Sequence, residues 1–279
     1  MTKSIRNAFI QIWLWKKDLR AILAIALGIG IICYEGYPYL KYAAFVRSNI
    51  QACELYILCG STGYIYLGLF LGYLLLMSNA PFIDRMASFE IVRFGRKRWI
   101  DSKILYIILG CFTYSVILLI VTMIFSAING QIYFGNEWSY AISELAIRKP
   151  VFAITVYKIM FPFEDLILSV DPYTAVILTV IFNSMYSITI CMLIMCFNII
   201  SRHNMGWIIA ISIHIGGYII YANSANMFPQ SYSIFCHSLP ALYFEKEMGF
   251  SLIGSLSFGL LTVLLLREFS AFLFKKREI

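Results

Sequence analysis

Ser78–Lys103, SNAPFIDRMASFEIVRFGRKRWIDSK, sets Arg85, Arg93, Arg96, Lys97, Arg98 and Lys103 against Asp84, Glu90 and Asp101, and lies between two long apolar runs. Its surroundings decide the fold. The chain is 61% hydrophobic and only 13% charged, with a mean hydropathy of +0.79. A soluble domain carries roughly a quarter charged residues. Most segments here cannot face water, so the chain reads as an all-α polytopic membrane protein, with Ser78–Lys103 a polar platform on one side of the bilayer.

Six apolar runs reach the roughly 20 helical residues that a bilayer crossing needs. They lie near Leu19–Tyr39, Leu55–Met77, Ile100–Ala127, Tyr173–Ile200, Met205–Ala222 and Phe250–Phe274. Basic residues set the orientation. Lys3, Arg6, Lys16, Lys17 and Arg20 precede the first run, the platform separates the second and third, Arg202 follows the fourth, and Arg267, Lys275, Lys276 and Arg277 close the chain. With six spans these segments share one side, so both termini are expected in the cytoplasm. Aromatic residues make up 16% of the chain, and their amphipathic rings suit the membrane–water interface.

The formal charge is +7. Its basic residues cluster at span ends, which fits retention on the cytoplasmic face and speaks against nucleic acid as a partner. The seven cysteines show no CxxC or Cys/His ligand spacing. Cys111, Cys191 and Cys196 fall in apolar runs and read as buried hydrophobes. Cys53, Cys59 and Cys236 belong to the outer side, where spacing alone does not establish a disulfide. MTKSIRNAFIQIWLWKKDLR lacks the uninterrupted apolar core and small-residue cleavage site of a signal peptide. In it, Ile5, Phe9, Ile12 and Trp13 recur at helical spacing among lysines. Residues 1–18 are therefore expected to form a helix in the interface plane, or else an inward extension of the first span. Residues 128–172 form the longest outer connection. Residues 223–249, with Pro229 and Pro240, are too apolar for a free loop and too broken for a span, and read as a re-entrant or surface segment. The whole chain, 1–279, reads as one transmembrane domain.

Within the platform, Asn79 is placed to cap a helix, with Pro81 and Asp84 in its first turn. Phe82, Met86, Phe89 and Val92 or Arg93 give it one apolar face, and Gly95 ends it. Such a helix can present apolar knobs and a charged rim to a soluble partner. A simple topology signal accounts for Arg96, Lys97 and Arg98, but not for the ordered segment before them.

The segments NAPFIDR (Asn79–Arg85), VRFGRKRW (Val92–Trp99) and KILY (Lys103–Tyr106) resemble the first cytoplasmic loop of bacterial export-type (type-2) ABC transporter permeases. The resemblance covers the full chain as layout and about thirty residues as motif. It implies a coupling helix that docks on a separate ATPase subunit, with Phe82, Ile83, Asp84, Arg85, Phe89, Glu90 and Arg93 on or beside it. It further implies a second permease chain, identical or paralogous, a bacterial cytoplasmic membrane location, and export of a peptide, antibiotic or lipid. ATP and Mg would act through the partner, because this chain has no GxxxxGK[ST] sequence.

The spans hold essentially no central charge, which speaks against a proton- or sodium-coupled carrier. His214 is the mid-span exception. With Asn183, Tyr186 and Ser187 it forms the candidate pathway lining, although such residues more often bond between helices. Gly63, Gly68 and Gly72 read as sites of close helix packing. No catalytic or metal-ligating residues are expected: His203, His214 and His237 are scattered, and no HExxH or Gly-x-Ser-x-Gly is present. The competing reading is a stand-alone immunity or sensor protein that binds a peptide through its outer connections.

Overall fold

The computed structural model describes residues 2–83, 87–159, 163–201, 205–223, 230–245 and 251–276. Asp84, Arg85, Met86, Arg202, His203 and Pro229 lie outside them.

Helix α1 (Thr2–Trp13) continues into a 3-10 turn, Leu14–Lys17. The chain then turns sharply at Asp18, whose extended backbone and carboxylate cap α2 (Leu19–Phe45) through the Arg20 N–H at 3.0 Å. Phe9, Ile10, Trp13 and Leu14 form an exposed apolar stripe on α1, while Trp15 is buried and donates its indole N–H to Tyr106 at 2.9 Å. Lys16 lies over the Trp13 ring at 3.8 Å. An amphipathic helix pinned by one tryptophan and presenting another outward is suited to the interface. Helix α2 runs through Pro38 and ends at Phe45, later than the apolar pattern alone places it.

The expected second span is not one helix. It divides into α3 (Glu54–Ser61) and α4 (Gly63–Met77), bent by 91° at Thr62. The cause is local. Residues 60–63 read Gly-Ser-Thr-Gly, all weak helix formers. Thr62 is extended, at φ −89° and ψ 115°, and its hydroxyl donates back to the Leu58 carbonyl at 2.7 Å, an alternative partner that competes with the helical ladder.

The platform also departs from expectation. Residues 78–82 form turns instead of a helix entry: the Phe82 N–H donates to the Asn79 carbonyl at 2.7 Å, and Phe82 itself has φ +61°, a left-handed conformation that no helix contains. The platform helix α5 is Ala87–Phe94. Gly95, at φ +82°, ends it and caps α6 (Arg96–Asn129), so the Arg96–Arg98 cluster forms the first turn of the next long helix.

Beyond α6 lie three short helices, α7 (Tyr140–Ile147), α8 (Val151–Thr155) and α9 (Glu164–Ser169). They form a small layer at the end of the bundle remote from the platform. A two-residue parallel pairing ties this layer in: β1 (Ile50–Gln51) lies against β2 (Ile132–Tyr133), with Ile50 opposite Ile132. Helices α10 (Pro172–Ser201), α11 (Gly206–Asn223) and α12 (Leu252–Lys276) complete the bundle, with two 3-10 turns, Cys236–Ser238 and Pro240–Tyr243, between the last two.

Among the described residues, five helices are long and apolar enough to cross a membrane, and the bent α3–α4 pair brings the number to six if it counts as one span. The protein is thus an all-α, multi-pass membrane protein with one minimal strand pairing. Helix α10 is the most enclosed of these and α12 the least, with Phe258, Leu261, Leu264, Leu265 and Phe269 all exposed. Outward apolar side chains are what a lipid solvent requires. Gly72 lets helices approach closely. A Cβ there would collide with the Tyr114 hydroxyl, which donates to the Ala24 carbonyl at 2.8 Å.

Candidate functional site

The platform is assembled from α5 and the first three turns of α6. Ala87 is buried and Ile91 packs on the core, which seats one face of α5. Glu90 fastens it: one carboxylate oxygen accepts the Trp99 indole N–H at 2.9 Å and lies 3.7 Å from the Lys103 ammonium. Lys103 is only 3% exposed, and its ammonium sits 5.2 Å from the centre of the Trp99 ring. Trp99 stacks in turn on Phe274 at 5.0 Å, and Asp101 pairs with Arg267 at 3.0 Å, so α12 is tied to the same base. Phe82 meets the Tyr106 ring edge-on at 4.9 Å.

Among the described residues, nothing covers Phe89 and Val92 on the opposite face of α5. Phe89 is 70% exposed and Val92 is 87% exposed, one helical turn apart. Ile83 is also exposed, as are the basic residues that follow in the chain, Arg93, Arg96, Lys97 and Arg98. Of the residues expected on this helix, Phe89 and Arg93 lie on its exposed side, Glu90 turns inward to Trp99 and Lys103, and Phe82 and Ile83 precede it. Asp84 and Arg85 fall outside the described residues. Sequence spacing alone missed Trp99 and Lys103 as the partners of Glu90. An acidic residue followed by Trp and Lys at nine and thirteen positions was the available signal, and it has meaning only once the Gly95 turn folds α5 back along α6.

The candidate pathway residues gather in the interior of the bundle. His214 is buried between Tyr186 of α10 and the Leu67 carbonyl of α4. Its Nδ1 lies 2.7 Å from the Tyr186 hydroxyl and its Nε2 lies 3.2 Å from the carbonyl. A carbonyl only accepts, so Nε2 carries the proton and Nδ1 accepts from Tyr186. Phe70 packs on the imidazole at 4.1 Å between ring centres, with Tyr66 and Phe235 around it. The Tyr66 hydroxyl donates to the Asn183 carbonyl at 3.2 Å and lies 3.5 Å from the Ser187 hydroxyl. Asn183 donates to the Gly60 carbonyl at 3.4 Å, while its Oδ1 is buried with no partner. Tyr186 also borders a narrow apolar cleft between α10, α12 and the turn at His237. Among the described residues no cluster of three His, Cys, Asp or Glu side chains could hold a metal ion. All seven cysteines are free thiols, and the Cys111 and Cys191 sulfurs lie 3.9 Å apart.

At the far end, Glu54 is completely buried, a placement that spacing did not foresee. It accepts the Tyr39 hydroxyl at 2.8 Å, the Ser139 N–H at 2.5 Å and the Gln51 N–H at 3.3 Å. Ser139 caps α7, so Glu54 sits at the start of two helices, α3 and α7, where a negative group is favoured. Nearby, Tyr42 donates to Glu144 at 2.7 Å. These bonds hold α2, α3 and the short-helix layer together.

Comparison with known proteins finds no match among family models, curated proteins or solved structures. The likeness to export-type permeases therefore rests on the residues themselves.

Proposed function

We propose that this chain is the membrane-embedded permease subunit of an ATP-driven ABC exporter. In this reading a second permease chain, identical or paralogous, completes the substrate pathway. Separate ATPase subunits dock on α5 from the cytoplasm of a bacterial cell, and the cargo is a peptide, an antibiotic or a lipid. The chain itself carries no ATPase site.

One observation carries the reading. Helix α5 is held firmly on one side by Glu90, Trp99 and Lys103 and presents Phe89 and Val92 with a basic rim on the other. A rigid base with two apolar knobs suits a helix that transmits force, because motion of a docked partner passes directly into α6 and, through Phe274 and Arg267, into α12. A basic loop that served topology alone would need no such anchoring.

The test is purification of the tagged full chain from its native membranes in mild detergent, with mass spectrometry and an ATPase assay. A stoichiometric P-loop protein is expected to co-purify, and to be lost in Phe89→Asp and Val92→Asp while membrane insertion is retained. A nucleotide-binding partner that remains bound in both variants removes the docking assignment. A pure preparation with no such partner removes the transporter reading and leaves a stand-alone binding protein.

A further inference from the structure

We infer that the segment Ile147–Lys158, built around α8, is a membrane contact outside the spans: it lies in the headgroup layer of the leaflet remote from the platform and binds anionic phospholipid there. Val151 is 74% exposed and Val156 is 68% exposed, and Ile147 and Ile154 are exposed beside them. Val151 and Ile154 share one face of α8, a helical turn apart. The other face is fixed. Ala153 is fully buried, and the Phe152 ring lies 5.9 Å from Tyr42 and 5.8 Å from Phe45. Tyr157 joins the same aromatic cluster. The Ile159 N–H donates to the Ala153 carbonyl at 3.2 Å and closes the turn after α8. A rigid base thus holds four aliphatic side chains outward, and water is a poor solvent for such a patch.

Position sets the depth. Tyr42 and Phe45 close α2, whose 27 residues reach about 40 Å at about 1.5 Å per residue. A bilayer with both headgroup layers is about 40–45 Å thick. A segment docked on that end of α2 therefore lies at the level of the far headgroups. Charge completes the pattern. Lys149 and Lys158 bracket α8, and both hold left-handed backbone, at φ +45° and +57°, which glycine adopts at lower cost. A strained position that is nonetheless a lysine points to a use for its charge. Lys149 pairs with Glu164 at 3.1 Å, and the widely exposed Arg148 lies 3.9 Å from Glu144. Among the described residues no carboxylate pairs with Lys158.

The side chains select lipid over protein. Hot spots for protein partners are rich in Trp and Tyr, with Val under-represented, whereas the outward tips here are Val and Ile. Aliphatic tips with basic residues at their edge are the pattern of a segment seated in a membrane surface, where the tips enter the acyl boundary and the long basic stems reach back to phosphate. An anionic headgroup supplies the counter-charge that Lys158 lacks, and a zwitterionic one carries no net charge to offer. The contact lets bilayer composition act on the short-helix layer and, through the Tyr42–Glu144 bond, on α2. It does not depend on what docks at α5, at the opposite end of the bundle.

The experiment uses the full chain in nanodiscs made of equal parts phosphatidylglycerol and phosphatidylethanolamine with the same acyl chains. Val151→p-benzoylphenylalanine places a photoprobe on the segment, and Leu264→p-benzoylphenylalanine places one on the exposed face of α12 as a reference. Light should attach phospholipid at residue 151 as it does at residue 264. At residue 151 phosphatidylglycerol adducts should exceed phosphatidylethanolamine adducts roughly 2- to 10-fold. Adding Arg148→Gln and Lys158→Gln should keep the lipid adduct at residue 151 and at least halve that preference. Lipid adducts at residue 264 with none at residue 151 place the segment in water and overturn the proposal. Equal adducts of the two lipids at residue 151, or a preference unchanged by Arg148→Gln and Lys158→Gln, overturn it as well. In native membranes, an adduct at residue 151 to a second copy of the chain or to another protein, in place of lipid, has the same consequence.

Discussion

Across the Gly95 turn, the carboxylate of Glu90 accepts the indole N–H of Trp99 at 2.9 Å. The bond closes α5 onto α6 and turns inward a carboxylate that a helical wheel leaves on the rim. Trp99→Phe keeps the ring stack on Phe274 and removes only the donor. We expect a loss of about 1 kcal/mol in stability, with faster amide exchange confined to Ala87–Phe94 relative to α10. Unchanged exchange in α5 would show that Ala87 and Ile91 seat it unaided.

Lys103 tests the same base by charge. It is almost wholly buried and its ammonium lies 3.7 Å from Glu90. Because Glu90 is 37% exposed, water screens part of the attraction. Lys103→Met should cost about 1–3 kcal/mol in the native background and clearly less when combined with Glu90→Gln, since neither partner is then left unpaired. Additive effects in a double-mutant cycle of thermal or denaturant unfolding would disprove the coupling.

The Tyr186–His214–Leu67 chain predicts a similar asymmetry in the interior. Tyr186→Phe strands the His214 Nδ1 in a buried aromatic surrounding and should destabilise by about 1–3 kcal/mol. His214→Phe alone strands the Tyr186 hydroxyl. The double variant should cost less than the sum of the two, as read by unfolding in detergent.

Glu54 predicts where the far end opens. Three donors converge on this buried carboxylate, and only the Tyr39 hydroxyl has a second partner close by, the Ser139 hydroxyl at 3.3 Å. Glu54→Leu should cost about 3–5 kcal/mol or more and expose the chain between residues 131 and 171 to limited proteolysis before α10 is cut. Cleavage at the native rate would mean that β1–β2 pairing and the Tyr42–Glu144 bond hold the layer by themselves.

His237 makes stability depend on pH. Burial pushes its imidazole below the ordinary histidine value, with the Ser231 carbonyl opposing the shift. The unfolded chain takes up this proton near about pH 6.5, before the folded chain does. The contribution is therefore fully present above about pH 6.5 and is lost as pH falls toward the lower folded value. The neutral ring accepts from Ser255 at Nδ1, at 2.9 Å, while its Nε2–H donates to the Ser231 carbonyl, also at 2.9 Å. His237→Gln should shrink the drop in thermal midpoint between about pH 7.5 and about pH 5.5. An identical drop in both proteins would place the acid sensitivity elsewhere.

Composition and hydropathy alone identify a multi-pass helical membrane protein and place α6, α10, α11 and α12 within a few residues, because an apolar run that must exclude water has few alternatives. The same reading finds the charged platform and the helix-ending role of Gly95, each of which depends on neighbours in sequence. The inward turn of Glu90 toward Trp99 and Lys103, the burial of Glu54 beneath Ser139 and the pairing of Tyr186 with His214 were decided only in three dimensions. Each joins residues separated along the chain. A buried polar group takes whichever partner the packed fold brings within reach, and residue spacing carries no record of that choice.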